Sequence, residues 1–440
     1  MPKLETIRIN IAMNHTQTNQ TLIWTKIGVA ALGLSGLYSI ILVFLRTPGI
    51  TNLITNKEFF KTALVVHVDL SVLVWLLAGS VIIWLKNIHF SIPRIIYRIA
   101  FAGIILIALS PLMYGDPVMN NYIPMLDNIS FVMGLSIFMT VIFIISIMSV
   151  SHVPRTHDEY AAFIGGCIFL ISSICFILSY DKLNVEIIYP MDLHGFYEML
   201  FWSGGHALQF LYMHTMYVIL LMLLGPRKFP RLQILVMWIN VLAVTPLLPV
   251  HLIYNIDSAE FISFCTDHMR YAGGFAAACM ICVVIAEIVY SEAESKWLFG
   301  INFSLLLFTA GGIIAILISE INVTIPAHYH GSIVGISIAV MTMIYYIIDA
   351  DLKWARIQVI TYALGQMMHI GGLAWSGGYG VLRKNPDMVL SMDAKISMGI
   401  MGLGGFVAII GGLMFVVICG RKLYGNSDEQ AVDRDRSINL

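Results

Sequence analysis

Apolar runs of about 20 residues recur along the whole chain, and no other feature limits its fold as strongly. A helix of that length crosses the hydrocarbon core of a bilayer, and every backbone polar group is satisfied within it. The chain is 58% hydrophobic and 12% charged, whereas a soluble domain carries about 25% charged residues. The sequence therefore predicts an all-α integral membrane bundle.

Twelve spans are predicted, numbered in chain order, at residues 24–46, 62–85, 95–113, 129–150, 160–179, 197–223, 231–254, 262–290, 298–319, 325–348, 357–381 and 396–420. The predicted organisation is a polar tail (1–23), one membrane domain (24–420) and a second polar tail (421–440). The net charge of −1 offers no basic surface for nucleic acid. The lipid bilayer is thus the first expected partner.

The distribution of Lys and Arg predicts the orientation of the spans, because these residues accumulate on the cytoplasmic side. If the N-terminus is inside, the tails and the even-numbered loops hold 17 of the 25 Lys and Arg residues. The remaining 8 fall on the opposite side. We therefore expect both termini in the cytoplasm and the chain in the inner (cytoplasmic) membrane.

Histidines inside the spans are the main candidates for function, because ionisable side chains within a membrane are costly. Spans two, six, eight and ten all run from outside to inside in the predicted topology, and each begins near such a histidine. Histidines that serve only packing have no reason to share one layer. The five residues of this predicted outer layer are His67, His206, His268, His328 and His330.

The H-Y-H sequence at the head of span ten is the most specific motif. His328 and His330 are two residues apart, so on an α-helix they point about 200° apart around the axis. They cannot both ligate one metal ion, but each can hold a separate planar cofactor. Imidazole is an axial ligand of haem iron.

Other histidines have a simpler interpretation, since a lone histidine in a membrane helix often makes an interhelical hydrogen bond. His251 and His369 fit that description, and His214 is placed to line a polar path. Cys279 and Cys282 form a C-x-x-C sequence, but no histidine follows it. Attachment of a c-type haem in this chain is therefore excluded.

The histidine pattern resembles the catalytic subunit of the heme-copper oxidase superfamily, which includes cytochrome c oxidase subunit I and the nitric oxide reductases. The resemblance extends from span one to span twelve, and PVMNNYIPMLD and MHIGGLAWSGGYGVLRKNPD also look like family segments. It implies that His328 is the axial ligand of a five-coordinate active-site haem. It further implies that His330 and His67 ligate a six-coordinate haem that transfers electrons.

The same resemblance implies a non-haem metal held by His206, Asp267 and His268, and a basic pair, Arg383 and Lys384, that holds haem propionates. The family has two adjacent histidines where this chain has Asp267 and His268. A carboxylate in the ligand set favours a harder ion, so iron becomes as plausible as copper. Of the two haems, b-type is favoured over a-type.

Phe210 marks a second departure, because many oxygen reductases have a tyrosine four residues after the histidine of span six. Phe210 has no hydroxyl and cannot supply an electron and a proton. Cleavage of O₂ needs four electrons, whereas reduction of two NO to N₂O needs two, and so the sequence favours nitric oxide reduction. Tyr254 at the outer end of span seven is a substitute phenol, which keeps cytochrome c oxidase-type reduction of O₂ to water as the alternative.

The sequence also departs from its relatives along the usual proton routes. Leu208 stands where the family has an acid, and span eight contains no Lys. Its acid, Glu287, lies at the inner end. Strong proton pumping is therefore not expected, and Glu198 is a candidate for proton uptake from the outer side.

The resulting hypothesis is the haem-bearing catalytic subunit of a respiratory terminal reductase. The chain has no sequence for a donor copper centre or a c-type haem, which implies an electron-donor cytochrome or a partner respiratory subunit. A transporter and a non-enzymatic haem sensor are the rival classes. A transporter should show inverted repeats and broken helices near the bilayer midplane. A sensor needs no non-haem metal.

Overall fold

The computed structural model describes residues 2–45, 59–187, 190–290, 295–318, 322–378 and 391–425, and in the first of these ranges the side chains of residues 17–42. The chain forms two compact units, Met1–Val218 with Arg227–Ser291, and Ile219–Pro226 with Glu292–Leu440. Each unit is described by itself below.

Within its described residues, the first unit contains eleven α-helices. They are α1 (Pro2–Leu45), α2 (Phe59–Val68), α3 (Trp75–Trp84), α4 (Arg94–Leu109), α5 (Ile129–Val150), α6 (His157–Glu186), α7 (Leu193–Leu224), α8 (Pro230–Val244), α9 (Val250–Ile253), α10 (Ala259–His268) and α11 (Gly274–Tyr290). The last turns of the seventh helix belong to the second unit. A short antiparallel pair, β1 (Asp116–Val118) and β2 (Met125–Asp127), lies between α4 and α5.

The second unit contains α12 (Leu298–Ile316), α13 (Thr324–Ile347), α14 (Leu352–Gly378) and α15 (Met392–Tyr424). Helices α12 and α13 approach closely where Gly311 faces Gly331. A Cβ atom at Gly331 would lie 2.7 Å from the Cα atom of Gly311. Small residues at such contacts let membrane helices pack backbone to backbone. This contact fixes the head of α13, which carries the H-Y-H sequence.

Side-chain caps set where several helices begin. Thr156 and Glu159 form a capping box at the start of α6, and the Asn128 Oδ1 atom accepts a hydrogen bond of 2.9 Å from the Phe131 N–H at the start of α5. Ser258 caps α10 in the same way. Each such cap is worth about 1 kcal/mol. Helix α5 begins at the predicted residue, whereas α6 and α10 begin three residues before the predicted spans 160–179 and 262–290.

The predicted all-α membrane bundle is confirmed. Among the described residues, eleven helical stretches are long and apolar enough to cross a membrane. They coincide with all the predicted spans except span eleven, 357–381. That segment is helical as α14, but Gln358, Gln366 and His369 lower its hydropathy, and it is not one of the eleven.

At both ends of the chain the helices extend beyond the predicted first and last spans, 24–46 and 396–420. Helix α1 begins at Pro2, and its apolar stretch begins at Gln17. No proline follows Pro2 until Pro48, so nothing in this segment interrupts the helix. At the other end α15 continues to Tyr424, into the predicted second tail. Residues 426–440 of that tail lie outside the described residues.

Two helices of the first unit contain a turn of π-helix, at Asp69–Val74 and at Met269–Gly273. Each lies at the C-terminal side of a histidine singled out from the sequence. The first joins α2 to α3 directly after Val68, and the second joins α10 to α11 directly after His268. Such π-turns in α-helices are rare and are frequent at functional sites.

Candidate functional site

His67 lies one residue before the end of α2, where it contacts helix α1. Its Nδ1 atom is 3.0 Å from the backbone oxygen of Ser35 and 2.9 and 3.1 Å from the hydroxyls of Ser35 and Ser39. Because a carbonyl only accepts, Nδ1 carries the proton. The lone pair of this neutral imidazole is therefore on Nε2, as metal ligation by that atom requires.

His206 is buried in α7, and both of its ring nitrogens are engaged. Its Nδ1–H donates to the backbone oxygen of Trp202 over 2.6 Å. Its Nε2 therefore accepts, and the hydroxyl of Tyr122 donates to it over 2.8 Å. Gly205 makes this contact accessible, because a Cβ atom there would collide with the Tyr122 ring. Tyr122 was not identified from the sequence.

The loop between β1 and β2 holds Tyr122 against α7. The Asn120 Oδ1 atom accepts hydrogen bonds from the N–H groups of Tyr122 and Ile123, at 3.1 and 2.9 Å. Glu198 of α7 accepts from the backbone and the side chain of Asn121. Burial raises the pKa of the Tyr122 hydroxyl well above its ordinary value, and the nearby charge of Glu198 raises it further. The hydroxyl therefore remains a hydrogen-bond donor at neutral pH.

His268 ends α10 and lies close to His206. Its ring contacts Phe210, which is one turn after His206 on α7, with a centroid distance of 5.7 Å. It also stacks on Phe264 at 5.9 Å. Both ring nitrogens of His268 are buried without a well-formed hydrogen bond, although the backbone of Ala243 lies near enough to interact with the ring. Buried polar atoms are rarely left in that state, so a ligand for this imidazole is expected.

The Asp267 side chain lies at the protein surface. Its side chain is 53% exposed, it lies 3.9 Å from the Arg270 guanidinium, and it accepts a hydrogen bond from Ser263. Within the described residues, no group of three His, Cys, Asp or Glu side chains is arranged to hold a metal ion. The structure therefore brings His206 and His268 together and leaves Asp267 at the surface.

A broad, open surface cavity of about 660 Å³ lies beside His268 and is lined by Asp267 and Tyr254, among others. Tyr254, the substitute phenol suggested by the sequence, therefore lies in the same cavity as His268. Its ring is 6.3 Å from that of Phe264. The cavity gives His268 a connection to the protein surface.

The second unit holds the H-Y-H pair at the start of α13, and its two histidines face different helices. The Nδ1–H of His328 donates to the backbone oxygen of Gly311 in α12 over 2.9 Å. The Nδ1–H of His330 donates to Pro326 of its own helix over 2.8 Å, and its ring lies 5.1 Å from that of His369 in α14. The predicted opposite orientation of the pair is confirmed.

The remaining predicted residues have simpler positions. His251 bonds to Ser179 and Ser203 at 3.1 and 3.0 Å, and His369 bonds to the backbone oxygen of Met401 on α15 at 3.0 Å. Both make the interhelical hydrogen bonds expected of them. The pair Arg383 and Lys384 lies outside the described residues.

Comparison with known proteins adds a family and a fold. No protein-family model matches the chain. An uncharacterized protein of Rickettsia prowazekii (strain Madrid E) is 36% identical over 485 aligned positions, which cover 91% of this chain and 95% of that protein. The chain belongs to the same family as that protein. An uncharacterized Aquifex aeolicus protein is 25% identical over 74% of the chain and 83% of its own length.

A solved structure of a heme-copper terminal oxidase dimer matches this family member with a TM-score of 0.69. The match covers 93% of the chain and 84% of the oxidase chain, with 14% sequence identity. At that identity the likeness shows the fold alone. The chain therefore has the fold of a heme-copper oxidase membrane subunit.

The described residues fit haem more closely than they fit a second metal. His67, His328 and His330 each donate Nδ1–H to a backbone oxygen, which is the arrangement that presents Nε2 to an iron. For a non-haem metal, His268 fits through its ring nitrogens, which have no well-formed hydrogen bond, but His206 is bonded to Tyr122 and Asp267 points away.

Proposed function

We propose that this chain is the haem-bearing catalytic subunit of a membrane oxidoreductase that reduces a small gas. One observation carries the proposal. Three histidines singled out from the sequence each have Nδ1 fixed by a backbone oxygen, in a chain with the fold of a heme-copper oxidase subunit. This tautomer places the lone pair of each imidazole on Nε2, the atom that an axial ligand of haem iron uses.

Each histidine then has a distinct role. His67 and His330 ligate a six-coordinate haem that receives electrons, and His328 ligates a five-coordinate haem at which the gas reacts. Haem supplies the reversible one-electron chemistry when bound. The separate orientations of His328 and His330 on α13 support two haems rather than one. We assign b-type haem to both, with Arg383 and Lys384 as the partners of the propionates.

His206 and His268 are the proposed ligands of a non-haem metal, copper or iron. The closeness of His268 to His206 supports this pair. For His206 to bind a metal through Nε2, the Tyr122 hydroxyl must first leave that atom. Asp267 is proposed as the third ligand, and for that role its carboxylate must exchange Arg270 for the metal.

Nitric oxide is the leading substrate. Phe210 is fully buried against His268 and has no hydroxyl at the place where oxygen reductases have their tyrosine. Reduction of two NO to N₂O and water consumes two electrons and two protons, so this reaction needs no tyrosine to donate a further electron and proton.

Oxygen is the second candidate, and the Tyr122 contact favours it. That hydroxyl lies 2.8 Å from His206 Nε2, so a phenol stands beside the proposed metal ligand after all, on a loop instead of on α7. Reduction of O₂ to water consumes four electrons and four protons, and a phenol can contribute one of each.

The proposed setting is the inner membrane, with both termini in the cytoplasm and with a cytochrome or a partner respiratory subunit as electron donor. The spanning helices support a multi-pass membrane protein. The donor is proposed because the sequence offers no copper-donor motif and no site for a c-type haem.

The test is a pyridine haemochrome assay, metal analysis and turnover of NO and O₂ on one purified preparation. The proposal expects two haems per chain and consumption of at least one gas with an artificial electron donor. Haem without turnover of either gas would indicate a sensor. Absence of haem from the folded protein would overturn the proposal and leave a transporter as the remaining class.

A further inference from the structure

A set of buried polar side chains in the first unit takes no part in the proposed redox site. His214 on α7 is the first of them. It is 1% exposed, and one of its nitrogens, Nε2, bonds to the backbone oxygen of Ala161 on α6 over 2.8 Å. The other, Nδ1, is buried without a hydrogen-bond partner. An imidazole in a membrane helix with one nitrogen unsatisfied calls for a further partner such as water.

Below Ala161, α6 begins at a cluster of ionisable side chains. His157, one turn before Ala161, has both ring nitrogens buried, and its Nδ1 atom lies 3.8 Å from the Asp158 carboxylate. Around it the His89 Nε2 atom lies 3.7 Å from Glu159, and Asp158 pairs with Arg227. Clustered histidines and carboxylates at a membrane surface can collect and release protons near neutral pH.

Beyond His214 the polar groups continue between α3 and α7. Ser80 and Thr215 are both buried, and their hydroxyl oxygens lie 2.7 Å apart. Trp84, one turn from Ser80 on α3, and His214 both reach the same glycine of α6. A Cβ atom at Gly165 would lie 2.7 Å from Trp84 Nε1 and 3.3 Å from His214 Cδ2. The indole N–H therefore lies beside the histidine.

The set ends at Asp69, in the π-helical turn that follows α2. Asp69 is 1% exposed, and neither carboxylate oxygen has a hydrogen-bond partner. It lies close enough to the Tyr212 hydroxyl for the two to interact electrostatically. Tyr212 is one turn from Thr215 on α7, in the direction of His206. A buried carboxyl without partners is unusual in any protein and calls for bound water.

We propose that these groups line a hydrated path that carries protons from the membrane surface at which α6 begins, past His157 and His214, between Ser80 and Thr215, toward Asp69. The inference rests on the proposed function in one respect, since reduction of either gas consumes protons. It goes beyond that function by naming where the protons travel. Glu287 is not an alternative proton carrier for this path, because its carboxylate already accepts hydrogen bonds from the N–H groups of Lys228 and Phe229 at the start of α8.

Thr215→Val and Ser80→Ala test the path, because each removes a hydroxyl with little change of shape. The fully reduced protein is mixed with the gas that it consumes, and proton uptake is followed with a pH-indicator dye alongside haem oxidation. Each variant should slow proton uptake by about tenfold or more, while the haem spectrum of the resting protein stays unchanged.

Thr342→Val is the matched control. Thr342 is as buried as Thr215, but its hydroxyl bonds only to the backbone oxygen of Ile338 in its own helix. This variant should take up protons at the unmodified rate. If Thr215→Val and Ser80→Ala both take up protons at the unmodified rate, the proposed path is wrong. The proposed function would not be affected by that result.

Hydroxyl-radical footprinting gives a second measurement that needs no turnover, because radicals made from bound water label the side chains that touch it. Trp84 and Tyr212 should be oxidised several-fold faster than Tyr217 and Tyr345, which are equally buried but have bonded hydroxyls. Equal rates would overturn the path. If the chain consumed neither gas, the proposed function would fail, and this result would still decide whether the path is hydrated.

Discussion

The histidines at the head of α13 and the histidine at the end of α10 are held in opposite ways. His328 and His330 each have a fixed tautomer, because a backbone oxygen accepts their Nδ1–H. His268 has no well-formed hydrogen bond at either nitrogen, and contacts with two phenylalanine rings and the backbone of Ala243 position it. The first arrangement is complete without a ligand, whereas the second depends on one. The proposed haem ligands therefore rest on firmer geometry than the proposed metal ligands.

The largest expected effect is on the six-coordinate haem. His67→Ala and His330→Ala should each abolish its low-spin spectrum, because alanine offers no axial ligand, and the other haem should remain. His251→Ala is the matched control, since His251 makes interhelical hydrogen bonds to Ser179 and Ser203. Optical and EPR spectra check the result. An unchanged low-spin signal in either ligand variant would show that the assignment is wrong.

His328→Ala should remove gas binding and turnover but keep the low-spin signal. The reason is that His328 faces α12, away from the side of α13 on which His330 lies. Binding of CO or NO to the reduced protein measures the loss of gas binding. Loss of both haems from a stably folded variant would contradict separate sites.

Gly311→Ala should destabilise the second unit by about 2 kcal/mol, the usual cost of overpacking. Its Cβ atom would lie 2.8 Å from the backbone oxygen of His328, so α12 and α13 must separate and the Gly311–His328 hydrogen bond must lengthen. Gly312→Ala is the control, because no atom lies within 4 Å of its Cβ position. Thermal unfolding measures both. Equal stability of the two variants would refute the tight contact.

Asp267→Ala tests the proposed non-haem metal site and should have the smallest effect on stability. Its pair with Arg270 is exposed, and such pairs contribute about 0–1 kcal/mol. If Asp267 ligates the metal, the variant loses metal and turnover together and keeps both haems, while Asp267→His retains the metal. Full metal occupancy in Asp267→Ala would leave the site to His206 and His268.

Much of the fold could be predicted from the sequence, because the bilayer imposes long apolar helices with recognisable ends. Span 129–150 agrees residue for residue with α5, and span 325–348 is one residue from α13 at each end. The opposite orientation of His328 and His330 follows from helix geometry alone. Span 357–381 is helical as α14 up to Gly378, but it is less apolar than the other spans, because α14 carries polar side chains among its apolar ones.

The surroundings of His206 and His268 could not be predicted, because they depend on contacts between segments that are distant in the sequence. Tyr122 reaches His206 from a loop 84 positions away. The paired glycines before His206 were the available signal, since a glycine next to a site histidine indicates a close neighbour. The π-turns after Val68 and His268 have no sequence signature, and they alter which way the nearby side chains point.

The central claim is that this chain binds two haems through histidines at the ends of α2 and α13. The most direct measurement is the haem-to-protein ratio of the purified chain, combined with the spin states in its EPR spectrum. The account predicts two haems per chain, one low-spin with two histidine ligands and one high-spin. A folded, purified chain with no haem, or with a single haem that survives loss of both His67 and His330, would contradict it.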